Sequence, residues 1–335
     1  MRICVIGDAS EPLDEGMKKT TYALSTALSK YCDVLVLNPL KAGRLGFWKS
    51  LLHYRPDIIH YVPGPSLYSF VLLALTKTVT SAATVMSLTH PKPGLPRRFA
   101  CRLFRPDLVL SQSLQTEKLF RDLGCNIHYT PNGVDTRQFQ PTTSQAEKTH
   151  LRHNYGVSPE AFVVLHVGNT RRVRNLGVLT ELQHDGYQVI VVSSTTIQGD
   201  SSVDVDLMAA GCLLWNRYIQ AIEEVYRLAD CYVFPTPTGI GAIEHPLSVM
   251  EAMACNLPIV TKRFGALPRI FAPGDGLYFV DSDTELKAKV KQVRYTKNTV
   301  ATRNKVIAMD WDVIALQILT RYQDLKTMVN NRAAI

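Results

Sequence analysis

Short, almost uninterrupted apolar runs alternate with amphipathic stretches along this chain. RICVIG (2–7), DVLVLN (33–38), DIIHYV (57–62), TVMSLT (84–89) and DLVLS (107–111) have the length and continuity of strands buried on both faces. Helical stretches such as MKKTTYALSTALSK (17–30) and SLQTEKLFRDLG (113–124) lie between them. A polar interval, FQPTTSQAEKTHLRHNYG (139–156), holds no apolar run and reads as an inter-domain connection. The alternation then restarts with AFVVLHVG (161–168), YQVIVVS (187–193), CYVFPT (231–236), PIVTK (258–262) and GLYFV (276–280). This pattern predicts an α/β fold of two doubly wound domains, each a parallel sheet covered by helices.

Length agrees, since 335 residues exceed one core of typical size. The opening MRICVIGDAS is broken by Gly7 and Asp8 and does not read as a signal peptide. The longest apolar run, at 70–75, is far short of the roughly 20 residues that span a bilayer. Seven Cys are scattered without a C-x-x-C pair, which predicts reduced thiols in a cytoplasmic setting and neither a zinc site nor a disulfide framework.

Charge changes the picture more. Residues 1–155 carry 19 Lys and Arg against 11 Asp and Glu, whereas 156–335 carry 18 of each. Much of the excess lies in KAGRLGFWKSLLHYR (41–55) and KPGLPRRFACRLFR (92–105), where bases interleave with apolar side chains. Such segments suit an anionic membrane surface or an anionic acceptor, or they are amphipathic helices packed on their own domain. No motif for nucleic acid accompanies them.

Chemistry concentrates at strand ends, where doubly wound sheets bind ligands. EHPLSVMEAMACNLPIV (244–260) joins Glu244, a helix opening on Pro246, Glu251 and a buried strand. The backbone N–H groups of Leu247, Ser248 and Val249 would face an anion, favoured by the helix dipole. GNTRRVRNL (168–176) sets Arg171, Arg172 and Arg174 beyond a strand-end glycine, either as phosphate ligands or as a solvated basic loop. Gly16 closes the loop after the first strand and His90 follows the fourth. Neither a G-x-G-x-x-G fingerprint nor a Walker lysine motif occurs.

In this order, these segments resemble the retaining glycosyltransferases of family 4, among the group 1 glycosyl transferases. PDIIHYVPG (56–64) is similar to the family's third strand, and PNGVD (131–135) with Phe139 to its signature before the linker. HVGNTRRVRNL (166–176), VYRLADCYVFPT (225–236) and PLSVMEAMACNLPIV (246–260) are similar to its donor-site segments; Trp311 and Tyr322 fit its closing helix.

The resemblance implies a GT-B fold of two Rossmann-like domains facing a central cleft. Residues 1–145 would bind the acceptor, 146–315 would bind a nucleotide-diphosphate sugar, and a helix at about 316–335 would return to the first domain. It also implies roles: Glu251 on the ribose hydroxyls, Ser248 and Val249 on the diphosphate, and Arg174 in place of the family's Lys. Gly16 would approach the diphosphate, while His90 and Glu244 would lie near the transferred sugar. Asn169 replaces the family's Arg, a charge that Arg171 or Arg172 would restore. Glu244 and Glu251 stand one residue closer together than the family's pair, and Glu15–Gly16 replaces its double glycine. The resemblance also implies catalysis without a metal or other cofactor, the nucleotide-sugar being a substrate. Two alternatives stay open: a GT-B enzyme acting on a sugar nucleotide without an acceptor, and a non-catalytic membrane- or partner-binding descendant.

Overall fold

The computed structural model describes residues 1–90, 95–237, 241–296 and 299–333, with backbone alone at 95–98 and 329–333. The opening of the basic stretch 92–105, and 238–240 beyond the CYVFPT strand, lie outside the described residues. The chain forms two compact units: Met1–Gly133, Ile243–His245 and Trp311–Ile335 make the first, and Val134–Ala242 with Pro246–Asp310 the second.

Unit 1 runs β1 (Arg2–Ile6), α1 (Gly16–Ser29), β2 (Asp33–Leu37), α2 (Leu45–Tyr54), β3 (Ile58–Gly64), α3 (Leu67–Thr80), β4 (Ala83–Leu88), α4 (Leu95–Leu103), β5 (Leu108–Ser111), α5 (Leu114–Asp122) and β6 (Ile127–Tyr129). Its six strands are parallel in the order β2-β1-β3-β4-β5-β6. Right-handed crossovers therefore set α2, α3, α4 and α5 side by side on one face and α1 on the other. Cys4 and Ile6 of β1 pack with Ile59, Met86, Phe70 and Phe120 in the core.

Unit 2 runs α6 (Gln145–Asn154), β7 (Val163–Val167), α7 (Gly177–His184), β8 (Gln188–Val192), α8 (Ser201–Ala209), β9 (Leu213–Trp215), α9 (Ile222–Leu228), β10 (Cys231–Phe234), α10 (Leu247–Ala254), β11 (Ile259–Lys262), α11 (Leu267–Ile270), β12 (Leu277–Val280) and α12 (Asp283–Tyr295). Its sheet is also parallel, ordered β12-β11-β10-β7-β8-β9, so the winding reverses at β7. This is the GT-B pair of Rossmann-like units.

Three boundaries differ from the sequence reading. The polar interval 139–156 contains α6 and belongs to unit 2. Its charges are spent within that unit: Lys148 and Arg152 both reach Asp230 at 2.6 Å, and Arg227 reaches Glu147 at 2.7 Å. The division accordingly falls at Gly133/Val134 rather than at 145. Finally, α13 (Trp311–Ala333) starts earlier than 316 and belongs to unit 1. There the Tyr322 hydroxyl lies 2.6 Å from Nδ1 of His60, whose Nε2 meets Ser87 Oγ at 2.7 Å. These contacts pin the last helix to β3 and β4.

Candidate active site

The carboxyl end of β7 carries the first group of candidate residues. Gly168 turns the chain with φ of 151°, and a Cβ there would stand 2.1 Å from Nη1 of Arg174. Arg174 closes a short 3-10 turn, is only 7% exposed, and donates from Nε to the Gly241 carbonyl at 2.9 Å. No carboxylate among the described residues pairs with it. Burial, with a smaller push from nearby Arg171, lowers its pKa to about 10, so the guanidinium stays charged at neutral pH. A buried cation of this kind is costly unless something negative meets it.

The neighbouring bases do not join Arg174. The Arg172 guanidinium donates to Ser202 Oγ at 3.0 Å, and its backbone N–H donates to Asp200 at 2.6 Å. The Arg172 side chain is thereby held toward α8. Arg171 is exposed, and buried Asn169 accepts the Arg171 N–H at 3.4 Å. A pocket of about 500 Å³ near the ends of β11 and β12 is lined partly by Lys262 and Arg263, but Asp283 and Asp281 already pair with these.

The second group stands on α10. Pro246 is its N-cap rather than its first helical residue, and the Met250 N–H closes the first turn on the Pro246 carbonyl. Pro246 offers no side-chain cap to the first N–H groups of this helix, those of Leu247, Ser248 and Val249. Just over one turn in, buried Glu251 accepts the Tyr226 hydroxyl at 2.8 Å. Burial and this carboxylate together push the Tyr226 phenol well above its ordinary pKa, so it remains a donor.

Tyr232 of β10 joins the two groups. Its hydroxyl lies 3.4 Å from the Val167 carbonyl, hydrogen-bonds Ser248, and senses both Arg174 and Glu251. The sequence had shown Tyr226 and Tyr232 only as aromatics in apolar runs. The hydroxyls of Thr170 and Thr236, at the ends of β7 and β10, are buried without a hydrogen-bond partner among the described residues. Their position just past a strand end was the available signal for both.

The remaining candidates belong to unit 1. Gly16 is the first residue of α1, and a Cβ on it would approach Ile243 Cδ1 to 3.2 Å. The helix end is already occupied: the Glu15 carboxylate accepts the N–H groups of Met17 at 3.0 Å and Lys18 at 2.9 Å. A protein carboxylate thus caps the helix that Gly16 opens. His90 Nε2 lies 3.1 Å from the Met17 sulfur, so α1 positions its ring.

Glu244 is 2% exposed and caps α5 from outside that helix. It accepts the Ser113 hydroxyl at 2.8 Å, the Ser113 N–H at 3.3 Å and the Thr116 hydroxyl. Its own N–H donates to the Thr89 carbonyl at 2.8 Å. Next to it, His245 takes the Asn132 N–H on Nδ1 at 3.0 Å and the Asn132 amide on its carbonyl at 2.9 Å. Both Glu244 oxygens are therefore committed to unit 1, and burial raises its pKa despite these bonds. This carboxylate anchors its own segment to the start of α5. Among the described residues no group of His, Cys, Asp and Glu is arranged to hold a metal.

A strand-end turn, a buried guanidinium and a helix N-terminus, joined through Tyr232, stand on the second doubly wound unit of this GT-B fold. Residues 162–294 match the family model described as glycosyl transferases group 1, and the resemblance drawn from the motifs is to that group. Sulfoquinovosyl transferase SQD2 of Arabidopsis thaliana is 24% identical over 303 residues, covering 80% of this chain and 57% of its own. D-inositol 3-phosphate glycosyltransferase of Pseudarthrobacter chlorophenolicus is 25% identical over 270 residues, covering 68% and 60%. The chain thus spans less than two thirds of the length of these relatives. In fold it is similar to sucrose-phosphate synthase from Thermosynechococcus elongatus, with TM-score 0.80, 15% identity and coverage of 98% and 100%. Anabaena HepE in complex with UDP gives TM-score 0.70, 15% identity and coverage of 97% and 100%.

Proposed function

We propose that this chain is a retaining, family 4-like glycosyltransferase that moves a sugar from a nucleoside-diphosphate donor to an acceptor hydroxyl without a metal. The observation that carries this reading is Arg174, a buried guanidinium with no carboxylate partner among the described residues, linked through Tyr232 to the start of α10, where Ser248 and Val249 stand. Breaking the anomeric C–O bond leaves negative charge on the departing diphosphate. Fixed donors aimed at that charge stabilise the transition state more than the ground state. Glu251, oriented by Tyr226, accepts the ribose hydroxyls. The acceptor oxygen bonds to the anomeric carbon on the face the diphosphate leaves, and its proton passes to a phosphate oxygen.

Arg171 and Asn169 border the diphosphate, and His90 is assigned to the transferred sugar. Glu244 acts through the backbone it anchors. HepE was solved with UDP and with UDP-glucose, which supports a uridine nucleotide as the first donor base to try. The acceptor reading assigns unit 1 a hydroxyl-bearing substrate at an anionic membrane surface, reached through 41–55 and 92–105 on a cytoplasmic, peripheral protein. No described helix is long and apolar enough to cross a membrane.

The test is a panel of nucleotide-sugars scored by thermal shift, donor hydrolysis and, with extracted lipid or glycan acceptors, product formation. A rise in melting temperature with one donor, lost in Glu251→Ala, is expected. A full panel without any shift overturns donor binding. Turnover that never depends on an acceptor transfers the reading to donor hydrolysis or isomerisation.

A further inference from the structure

We propose that α3 is the edge by which unit 1 seats on an anionic lipid bilayer, its apolar outer face entering the headgroup–acyl boundary. This deepens, and rests on, the membrane reading of unit 1; it is independent of the donor chemistry of unit 2. α3 is apolar on both sides. Its inner side buries Phe70, Leu72 and Leu73 in the core. Its outer side presents Leu67, Val71, Leu75 and Val79, each between 37% and 51% exposed, with Tyr68 beside them. Residues four apart advance about 40° around a helix, so these four sweep about 120° of surface as one continuous strip. A helix that is hydrophobic all round is normally covered, and isolated exposed side chains would not line up in this way.

The flanks name the cover. α2 and α4 lie on either side of α3 on the same face of the sheet, and the Tyr68 hydroxyl fastens α3 to the Pro39 carbonyl at 2.6 Å. They extend the apolar surface with Leu45 and Leu52 from α2, and Phe99 and Leu103 from α4. Across 41–55, 67–80 and 95–105 the sequence carries nine Lys and Arg and no Asp or Glu. Lys77 is paired with Asp107 at 2.5 Å, which leaves the charge to the two flanking segments, 41–55 and 95–105. An apolar ridge bordered by bases matches a surface whose interior is hydrocarbon and whose rim is anionic headgroup. The basic–apolar segments visible in the sequence supply the rim; the ridge between them is the run at 70–75 and its neighbours, which the strand–helix pattern had left without a purpose.

The experiment is sedimentation of the full chain with phosphatidylcholine vesicles, with and without about one third phosphatidylglycerol. Binding should require the anionic lipid and weaken when salt rises from about 0.1 to about 1 M, which shortens the screening length from about 10 to about 3 Å. Val71→Glu/Leu75→Glu should weaken binding at least tenfold while melting temperature and any donor-induced shift stay as in the parent. If the parent chain binds no anionic vesicle even at low salt, the membrane reading itself fails. If it binds and the double variant binds equally well, the assignment to α3 alone is overturned. A lipid-free dimer in light scattering that the double variant dissociates overturns it in favour of a second copy.

Discussion

Arg174 occupies the space that a side chain at residue 168 would need, its Nη1 lying 2.1 Å from where the Cβ would be. The glycine at the end of β7 is thus a seat for the guanidinium. Gly168→Ala should displace Arg174 and also strain the backbone at φ of 151°. We expect at least a tenfold rise in the dissociation constant for a nucleoside diphosphate by calorimetry. The accompanying stability loss should be about 1–3 kcal/mol in urea unfolding.

Arg174→Ala removes the charge without touching the turn. Losing one transition-state donor of this kind costs about 10²–10³ in turnover. Arg174→Lys should recover part of that loss, since it restores the charge without the bidentate fork. Turnover unchanged in the alanine variant would detach Arg174 from the chemistry.

Tyr226→Phe isolates the carboxylate of Glu251 from its orienting hydroxyl. A lost hydrogen bond to a charged group is worth about 1.5–3 kcal/mol. Weaker binding of a nucleoside diphosphate, together with unchanged binding of inorganic pyrophosphate, is the expected pattern in paired titrations. Equal losses for both ligands would place the effect on the helix end instead.

Glu244→Ala leaves the Ser113 and Thr116 donors buried and unmatched, at about 1–3 kcal/mol for each stranded group. Urea unfolding should show unit 1 destabilised even without substrate. Glu244→Gln, which keeps an accepting oxygen, should recover much of the stability. An alanine variant as stable as the parent would contradict the anchoring role.

Acid should unfold unit 1 in part through His60. Burial lowers its pKa from 6.5 to about 3, so between those values the unfolded chain binds a proton that the folded one does not. Stability therefore falls as pH drops through that window, by about 1.4 kcal/mol per pH unit for one such group. His60→Asn should flatten the slope of unfolding free energy between pH 6 and 4 by about one proton's worth.

The strands that carry the sites could be read in the sequence because each is a compact apolar run covered on both faces. β6 and β9 could not: three partly buried residues at a sheet edge leave no recognisable period. α6 was hidden for a different reason, its buried face being made of charges whose partners lie about 80 residues downstream. The places of Arg174 past the end of β7 and of Ser248, Val249 and Glu251 on a helix were legible from the motif order. The fate of Glu244 was not, because Ser113 lies 131 residues before it in the chain. Tyr226 and Tyr232 looked like core aromatics, and only packing discloses where their hydroxyls go.

Unit 1 is assembled from three separate pieces of chain, whereas residues 134–310, apart from 243–245, fold into unit 2. On a ribosome, the sheet of unit 1 is made before unit 2 yet lacks the segment that bears Glu244 until most of unit 2 has emerged, and α13, which bears Tyr322, until all of it has. The unit that begins the chain is therefore the last to be completed, and its sheet waits with the surface destined for α13 uncovered while its neighbour matures.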